Sequence, residues 1–446
     1  MFILTLNCGS SSAKYQVYDW DNRSVISVGI IERIGQEQSS LTHKVPGRKN
    51  YEALQPCPDH VKAISWIMET LIHPVHGCLD SISAIGAAGH RVVHGGETFT
   101  QSVAVDAQVL TALEACSPLA PLHNPANIAG IRAAQKVLPN IPHCAVLDTA
   151  WHQTMPQSSY LYALPYTWYK NHKIRRYGFH GTSYIYTAKR AAVLLGKAPA
   201  ETNLIIAHIG NGSSICAVKK GVSFDTSMGF TPLEGLIMGT RSGDIDPAIV
   251  TYMMRETGMN STEMENTLNK KSGVLGISEH YIDRRDIHKN AEDGDERCKL
   301  AMAMECYRIK KYIGAYSAAL SRVDAIVFTA GVGEMNPTYR WKALHGLSSL
   351  GIKIDREKNE LSHTRNGETC ISADNSPVKI YVIPTDEELV ITEDAHALMS
   401  GTYDTHTRFR YSFQSPNYRN KARDTALKNE TATNPKLETI LAQPVN

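Results

Sequence analysis

Residues 2–6, "FILTL", form an apolar-rich run, residues 7–12, "NCGSSS", are small and polar, and "KYQVYD" then alternates with the period of two that marks a half-buried strand. The pattern predicts a β-hairpin with a small-residue turn. Residues 203–225 repeat the plan: "NLIIAHI", then "GNGSS", then "ICAVKKGVSFD". Two spaced copies predict a duplicated fold. Apolar residues recurring every three or four positions predict a helix from about Leu300 to Leu320, followed by the buried strand "AIVFTA" and a glycine turn at Gly331, Val332, Gly333 and Glu334. Helix, strand and glycine turn in that order fit an open α/β sheet with its ligand at the strand ends.

Helix starts are marked by polar residues before proline or glycine. Asn124 as N-cap with Pro125 behind it opens "NPANIAGIRAAQKVL", Asp246 with Pro247 opens another helix, and "GTSYIYTAKRAAVLLG" follows His180 and ends on Gly196. His123 and His180 therefore stand at helix N-termini, where a phosphate is favoured, although a histidine can equally cap its own helix.

At 446 residues with 42% hydrophobic content, the chain has enough length for two or three domains. Its 46 basic and 44 acidic residues create no field that favours nucleic acid or a membrane surface, so small molecules are the expected partners. No apolar run reaches a bilayer span, and "MFIL" has neither a charged n-region nor a cleavage site, which predicts a cytoplasmic protein. The nine cysteines have no CxxC or metal spacing and suit free buried thiols; Cys8 is expected to pack rather than react.

The candidate chemistry lies at the ends of these elements. "NCGSSSAK" is not a P-loop, because Ala13 rather than glycine precedes Lys14 and a strand rather than a helix follows. Paired glycine and serine turns can instead grip a polyphosphate with backbone N–H groups and hydroxyls. "AAGHRVVHGGE" spaces His90 and His94 by four, but it lacks a zinc helix's glutamate and reads as a strand ending in a turn. Arg91 in that stretch and Arg241 in "GTRSGDIDPA" are either solvated or carboxylate-paired surface groups or, with glycines beside them, an oxyanion clamp. Asp148 closes the strand "CAVLD", and Glu387 and Glu388 follow the strand in "VIPTDEELV"; each suits a ligand- or Mg²⁺-facing oxygen, or simply a helix N-terminal acid.

In order along the chain, "NCGSSSAKYQ", "GHRVVHGGE", "PLHNPAN", "LDTAWHQTMP", "RYGFHGTSY", "HIGNGSS", "DTSMGFTPLEGLIMGTRSGDIDP", "FTAGVGE" and "IPTDEEL" closely resemble the acetate kinase family of the acetate and sugar kinase, Hsp70 and actin superfamily. The resemblance covers roughly residues 1 to 400. It implies an α/β protein with two duplicated ribonuclease-H-like domains, the actin-like ATPase fold, and an interdomain active-site cleft. The N-terminal domain would span 1–150, completed by about 385–400, and the C-terminal nucleotide-binding domain 151–384. It further implies a homodimer that transfers phosphoryl reversibly and in line from ATP to acetate, giving acetyl phosphate and ADP with Mg²⁺ or Mn²⁺.

Residue by residue, the resemblance assigns Arg91, Asp148, His180 and Arg241 to catalysis, and Asn7 and Glu387 to the metal. It assigns Arg91, Val93, Leu122, Phe179 and Pro232 to the substrate, with the apolar residues enclosing the acyl methyl. Ser10, Ser12, Lys14, His208, Asn211, Gly212, Asp283, Arg285, Gly331 and Val332 fall to nucleotide and phosphate, and His123 is a further active-site histidine. The chain departs from the family pattern at Glu279, Tyr281, Ile282, Arg284, Met335 and Tyr184, which is expected to crowd the adenosine side and leaves another phosphoryl donor open. Propionate or butyrate kinase of the same mechanism, and a nucleotide-gated protein of the actin and Hsp70 type, are the rival readings. Residues 401–446 lie outside the resemblance. They are polar and without periodicity, and are expected to be disordered, with contact of "RFRYSFQSPNYRNKAR" to RNA or an acidic partner as the lesser reading.

Overall fold

A computed structural model describes residues 1–121 and 123–444; Leu122, assigned above to the acyl pocket, lies outside the described residues. The chain divides into two units, Met1–Gln153 with Asp386–Thr425 and Thr154–Thr385 with Ala426–Asn446.

The first unit carries β1 (Phe2–Cys8), β2 (Ser12–Asp19), β3 (Ser24–Glu32), β4 (Ser39–Lys44), β5 (Tyr51–Gln55), β6 (Ile85–Val92), β7 (Val103–Ala104) and β8 (His143–Leu147), in the order β5-β4-β3-β2-β1-β6-β8-β7. The second carries β9 (Asn203–Ile209), β10 (Ser213–Lys219), β11 (Val222–Thr226), β12 (Ala325–Thr329), β13 (Thr369–Cys370) and β14 (Lys379–Val382), in the order β11-β10-β9-β12-β14-β13. Each sheet begins with an antiparallel meander, β1 to β5 or β9 to β11. Each then continues in parallel, β1-β6-β8 or β9-β12-β14, and ends on a short antiparallel strand. The sequence duplication is thus a duplication of topology. Both units are α/β, and together they form the duplicated actin-like ATPase fold.

The parallel strands read as unbroken apolar runs because helices cover both faces. β8, β9 and β12 are buried at every position. In the first unit, Ile64 and Ile67 of the helix His60–Leu71 pack with Leu4, Leu6 and Val17, while Ala395 of the helix Glu387–Met399 meets Ile3, Ala87 and Cys144. In the second, Ile309, Ile313 and Leu320 of the helix Glu296–Leu320 cover Ile205, Ile326 and Phe328. That helix starts before Leu300 because the Asp295 carboxylate accepts from the Cys298 N–H at 2.8 Å, a cap outside the apolar period.

Two expectations are corrected. The helix Asn124–Val137 is capped by His123, one residue early, because the Asn124 side chain is bound to the His94 backbone, accepting from its N–H at 3.1 Å and donating to its carbonyl at 2.8 Å. Residues 401–444 are ordered, not disordered. Tyr411, Phe413, Leu437 and Ile440 are buried, Lys421–Thr433 is helical, and Leu441 bridges to Thr369. Side chains hold the segment in place: the Tyr411 hydroxyl donates to Asp394 at 2.7 Å, the Ser412 N–H donates to Glu393 at 2.8 Å and its hydroxyl donates to the same carboxylate, and Asn420 donates to Asp386 at 2.7 Å.

Burial pushes the Glu393 carboxyl up to about 7, against the hydrogen bonds from Ser412. A folded-state pKa above the unfolded value of 4.5 favours the protonated form in the fold, so this contribution is complete below pH 4.5 and is lost as pH rises through about 7. Glu393→Gln therefore gains Tm relative to the unmutated chain progressively across that window; a difference independent of pH in thermal denaturation would contradict this.

Candidate active site

In the first unit, the C-terminal ends of β1, β6 and β8 lie side by side, which is where an open α/β sheet presents ligand groups. Asn7 pairs with Lys14 across the first hairpin, and the Gly9 N–H closes the turn on the Ser12 carbonyl at 2.8 Å, with Ser10 exposed and Ser12 half-buried. Arg91 on β6 makes a bidentate pair with Asp148 just past β8, Nε to Oδ1 at 3.0 Å and Nη2 to Oδ2 at 2.8 Å, and its Nη2 lies 3.9 Å from Glu387 at the start of a helix. Burial opposes the charge on Arg91, but the Asp148 and Glu387 carboxylates outweigh it and raise its pKa. Arg91 is therefore a fixed cation, and Asp148, 1% exposed, is a committed partner.

The loop after β6 is fastened by residues that sequence reasoning missed. Asn127 accepts from the Val93 N–H at 3.0 Å and donates to the Cys8 carbonyl at 2.7 Å, so one amide ties the hairpin to the arginine strand. Asn124 and Thr149 hold His94 and Gly95 in the same way. The available signal was "NPAN", two asparagines in a helical first turn that only one of them could cap.

The neighbouring histidines and cysteine are structural. His90 is buried, hydrogen-bonds His143 at 2.9 Å, and is pushed down to about 3 by burial, while His94 Nδ1 accepts from the Gly96 N–H at 3.0 Å. A Cβ on Gly130 would lie 2.5 Å from the Cys8 Sγ, and burial pushes that thiol up to about 12, which makes Cys8 a packing residue. Among the described residues no group of three or more His, Cys, Asp or Glu side chains is arranged to hold a metal ion.

In the second unit, His180 sits in the left-handed region, φ 61°, as N-cap of the helix Gly181–Leu194. Its Nδ1 meets the Ser214 hydroxyl at 2.8 Å, and its ring stacks on His208 with centroids 4.0 Å apart. His208 is fixed in turn by Ser183 at 2.9 Å. Tyr184, one of the departures, hydrogen-bonds the same Ser214 hydroxyl and so joins this network. A Cβ on Gly212 would lie 3.6 Å from both His180 Nε2 and Arg241 Nη1, so imidazole and guanidinium come together over the second glycine turn. Arg241 donates to the Pro232 carbonyl at 3.2 Å and is half-buried, and burial lowers its pKa. Among the described residues it has no carboxylate partner within 4.0 Å. A guanidinium partly withdrawn from water without an anion is an incomplete pair.

A cavity of about 590 Å³ opens beside the same turn, lined by Asn211, Asp283, Arg284, Arg285, Gly331 and Val332 among others. Asp283 caps the helix Arg284–Glu292, and the hydrogen bonds from Arg285 bring its carboxyl down to about 2. Gly331 and Val332 lie in the short helix Ala330–Met335 rather than in an open turn. Of the expected crowding residues, Glu279 pairs with Arg297 and Tyr281 packs toward Asn290; Ile282 and Met335 line the cavity without closing it. Its volume is within the range of small-molecule sites. Of the acyl-pocket residues, Val93 is half-buried in the first unit, and Phe179, buried, and Pro232, half-buried, lie in the second. His123 stands at its helix N-terminus in the first unit.

The acetokinase family profile matches residues 2–393. Acetate kinase of Treponema pallidum is 58% identical over 442 residues, 99% of each chain. Among solved structures, acetate kinase of Porphyromonas gingivalis superposes with a TM-score of 0.86 at 45% identity, covering 89% of this chain and 99% of its own. A propionate kinase of Francisella tularensis superposes at 0.83 and 41% identity, covering 89% and 99%.

Proposed function

The chain belongs to the acetokinase family, and from that premise we infer that it is an ATP-dependent acetate kinase, transferring phosphoryl between ATP and the carboxylate of acetate. The observations that carry the assignment of roles are made within each unit: Arg91 is a fixed cation on Asp148 in the first, and in the second Arg241 lies beside His180 with no carboxylate within 4.0 Å among the described residues.

Acetate is ionised at neutral pH, so the nucleophile needs no general base. The barrier is the approach of a carboxylate to an anionic γ-phosphate, and the protein's contribution is positioning and neutralisation. In this reading Arg91 orients the acyl oxygen, Arg241 and His180 hold the transferring phosphoryl, and Asp148 keeps Arg91 in place rather than taking a proton. The N–H groups and hydroxyls of both hairpin turns, with Lys14, Ser10, Ser12, Gly212 and His208, face phosphate oxygens. Asn211, Asp283, Arg285, Gly331 and Val332 bind the nucleotide.

Asn7 and Glu387 offer oxygen donors, and a site with one carboxylate and no protein cage suits Mg²⁺, which is held mainly by substrate phosphates and water. When bound, the ion would neutralise charge on the nucleotide phosphates. The family likeness supports a cytoplasmic homodimer, and no helix among the described residues is long and apolar enough to cross a membrane. Ile249, Tyr252 and Met253 stand exposed on the helix Pro247–Thr257, a face suited to a second copy. Ile249→Asp with Tyr252→Asp should halve the mass measured by sedimentation; an unchanged mass would remove that face from the interface.

The test of activity is acyl phosphate trapped as its hydroxamate from ATP and acetate. The likeness to a propionate kinase keeps that acid as a second reading. One extra methylene in an apolar pocket changes kcat/KM by about 10- to 100-fold, so propionate should be the poorer substrate by that factor. Propionate turned over as well as acetate would reverse the assignment.

A further inference from the structure

Another nucleotide-side departure, Arg284, faces inward. It is 4% exposed, and its Nη2 and Nε donate to the Glu305 carboxylate at 3.0 Å and at 3.3 and 3.4 Å. Its remaining terminal nitrogen, Nη1, donates to the Asn211 side-chain carbonyl at 3.4 Å. Asn211 is an exposed residue of the glycine turn after β9 and a wall of the 590 Å³ cavity. Gly239 makes the contact sterically possible, because a Cβ there would stand 2.0 Å from the Asn211 Oδ1 and 3.0 Å from Arg284 Nη1.

The chemistry of these groups fixes a direction. A guanidinium has five donors and no acceptor, so only the carbonyl end of an amide can face it. The NH₂ end of Asn211 is left for the cavity. A nucleoside polyphosphate presents only acceptors along its phosphate chain, so this orientation meets it with a donor, whereas the flipped amide would oppose an oxygen to an oxygen. Because Glu305, 1% exposed, neutralises Arg284, the arginine contributes orientation rather than attraction.

We propose that Arg284 is a positioning residue for the phosphate chain of the nucleotide, acting through Asn211 by setting the polarity of its amide. The proposal rests on the kinase reading for its ligand class, and its test separates the two by reading nucleotide binding apart from turnover.

ADP binding to the purified full-length chain is measured by calorimetry for the unmutated protein, Asn211→Ala, Arg284→Met with Glu305→Met, and the triple variant. The paired methionines replace the ion pair by apolar groups of similar length, which keeps the core filled. Loss of one oriented hydrogen bond to a charged ligand should weaken ADP about 5- to 20-fold in Asn211→Ala and by a similar factor in the paired variant. The triple variant should be no weaker than Asn211→Ala alone, since the arginine acts only through that amide. KM for acetate should change less than about twofold, where one factor of ten corresponds to the loss of a real contact. Arg284→Lys, which keeps a donor at the site, should recover part of the affinity. Effects that multiply in the triple variant, or unaltered ADP affinity in the paired variant, overturn the proposal. If the unmutated chain binds ADP but forms no acyl hydroxamate, the kinase reading fails while the Arg284 result stands; if it binds no ADP, the proposal fails outright.

Discussion

Arg91→Ala lowers kcat/KM for acetyl phosphate formation by about 1,000-fold, roughly 4 kcal/mol of transition-state stabilisation. Two losses combine in that number. In the proposed role of Arg91, the substitution removes a charged donor from the reacting carboxylate, and it takes the guanidinium fork away from Asp148, a carboxylate 1% exposed. The second loss makes the mutant worse than a simple vacancy, because the carboxylate at the end of β8, deprived of the Arg91 charge, repels the acetate that is to bind. Arg91→Lys should recover only part of the rate, since a single ammonium cannot reproduce the bidentate fork on Asp148. Asp148→Asn should act in the same direction through a loosened Arg91. Steady-state kinetics of the three variants check this, and near-normal turnover of Arg91→Ala would contradict it.

Arg241→Ala is expected to cost on the order of 100- to 1,000-fold in kcat, with a smaller change in KM for acetate. The difference from Arg91 follows from their surroundings. Among the described residues the Arg241 guanidinium donates to the Pro232 carbonyl and the Met238 sulfur and has no carboxylate to strand, so its removal should leave the fold intact and, in its proposed role, take away charge where the phosphoryl group is transferred. Its thermal stability should match or exceed that of the unmutated chain, because a partly desolvated cation has been deleted. Free guanidine added to Arg241→Ala should restore some activity. A mutant that is unstable, or one whose loss lies wholly in KM, would show that Arg241 is structural or a ground-state binder instead.

Much of this was legible in the chain. Both hairpins follow from a period of two broken by small polar turns, and the helix starting at Pro247 follows from an aspartate before a proline, because these signals are local. What was missed is non-local. The segment after Gly401 lacks periodicity, yet Tyr411 and Ser412 find buried carboxylates on a helix seventeen to nineteen residues earlier, at Asp394 and Glu393. No window of sequence pairs those groups. Asn124 read as a helix cap and Asn127 drew no reading, and their true partners, the backbones of His94, Val93 and Cys8, are fixed only when the Asn124–Val137 helix packs beside β1 and β6. Arg91 and Asp148 are 57 residues apart and meet because β6 and β8 are neighbours in the sheet. Arg284 stood out as a departure and was expected to crowd the nucleotide, but a buried glutamate holds its guanidinium back in the cavity wall.

The measurement that bears most directly on the central claim is a crystal structure of the full-length chain with ADP, acetate and a planar aluminium fluoride in place of the transferring phosphoryl. Guanidinium nitrogens of both Arg91 and Arg241 are expected within about 3 Å of the fluoride or of the acetate oxygen facing it. If either side chain remained turned away from that centre, with the ligands bound and the reaction geometry in line, two arginines would not be sharing one anionic group and the proposed catalyst would be wrong.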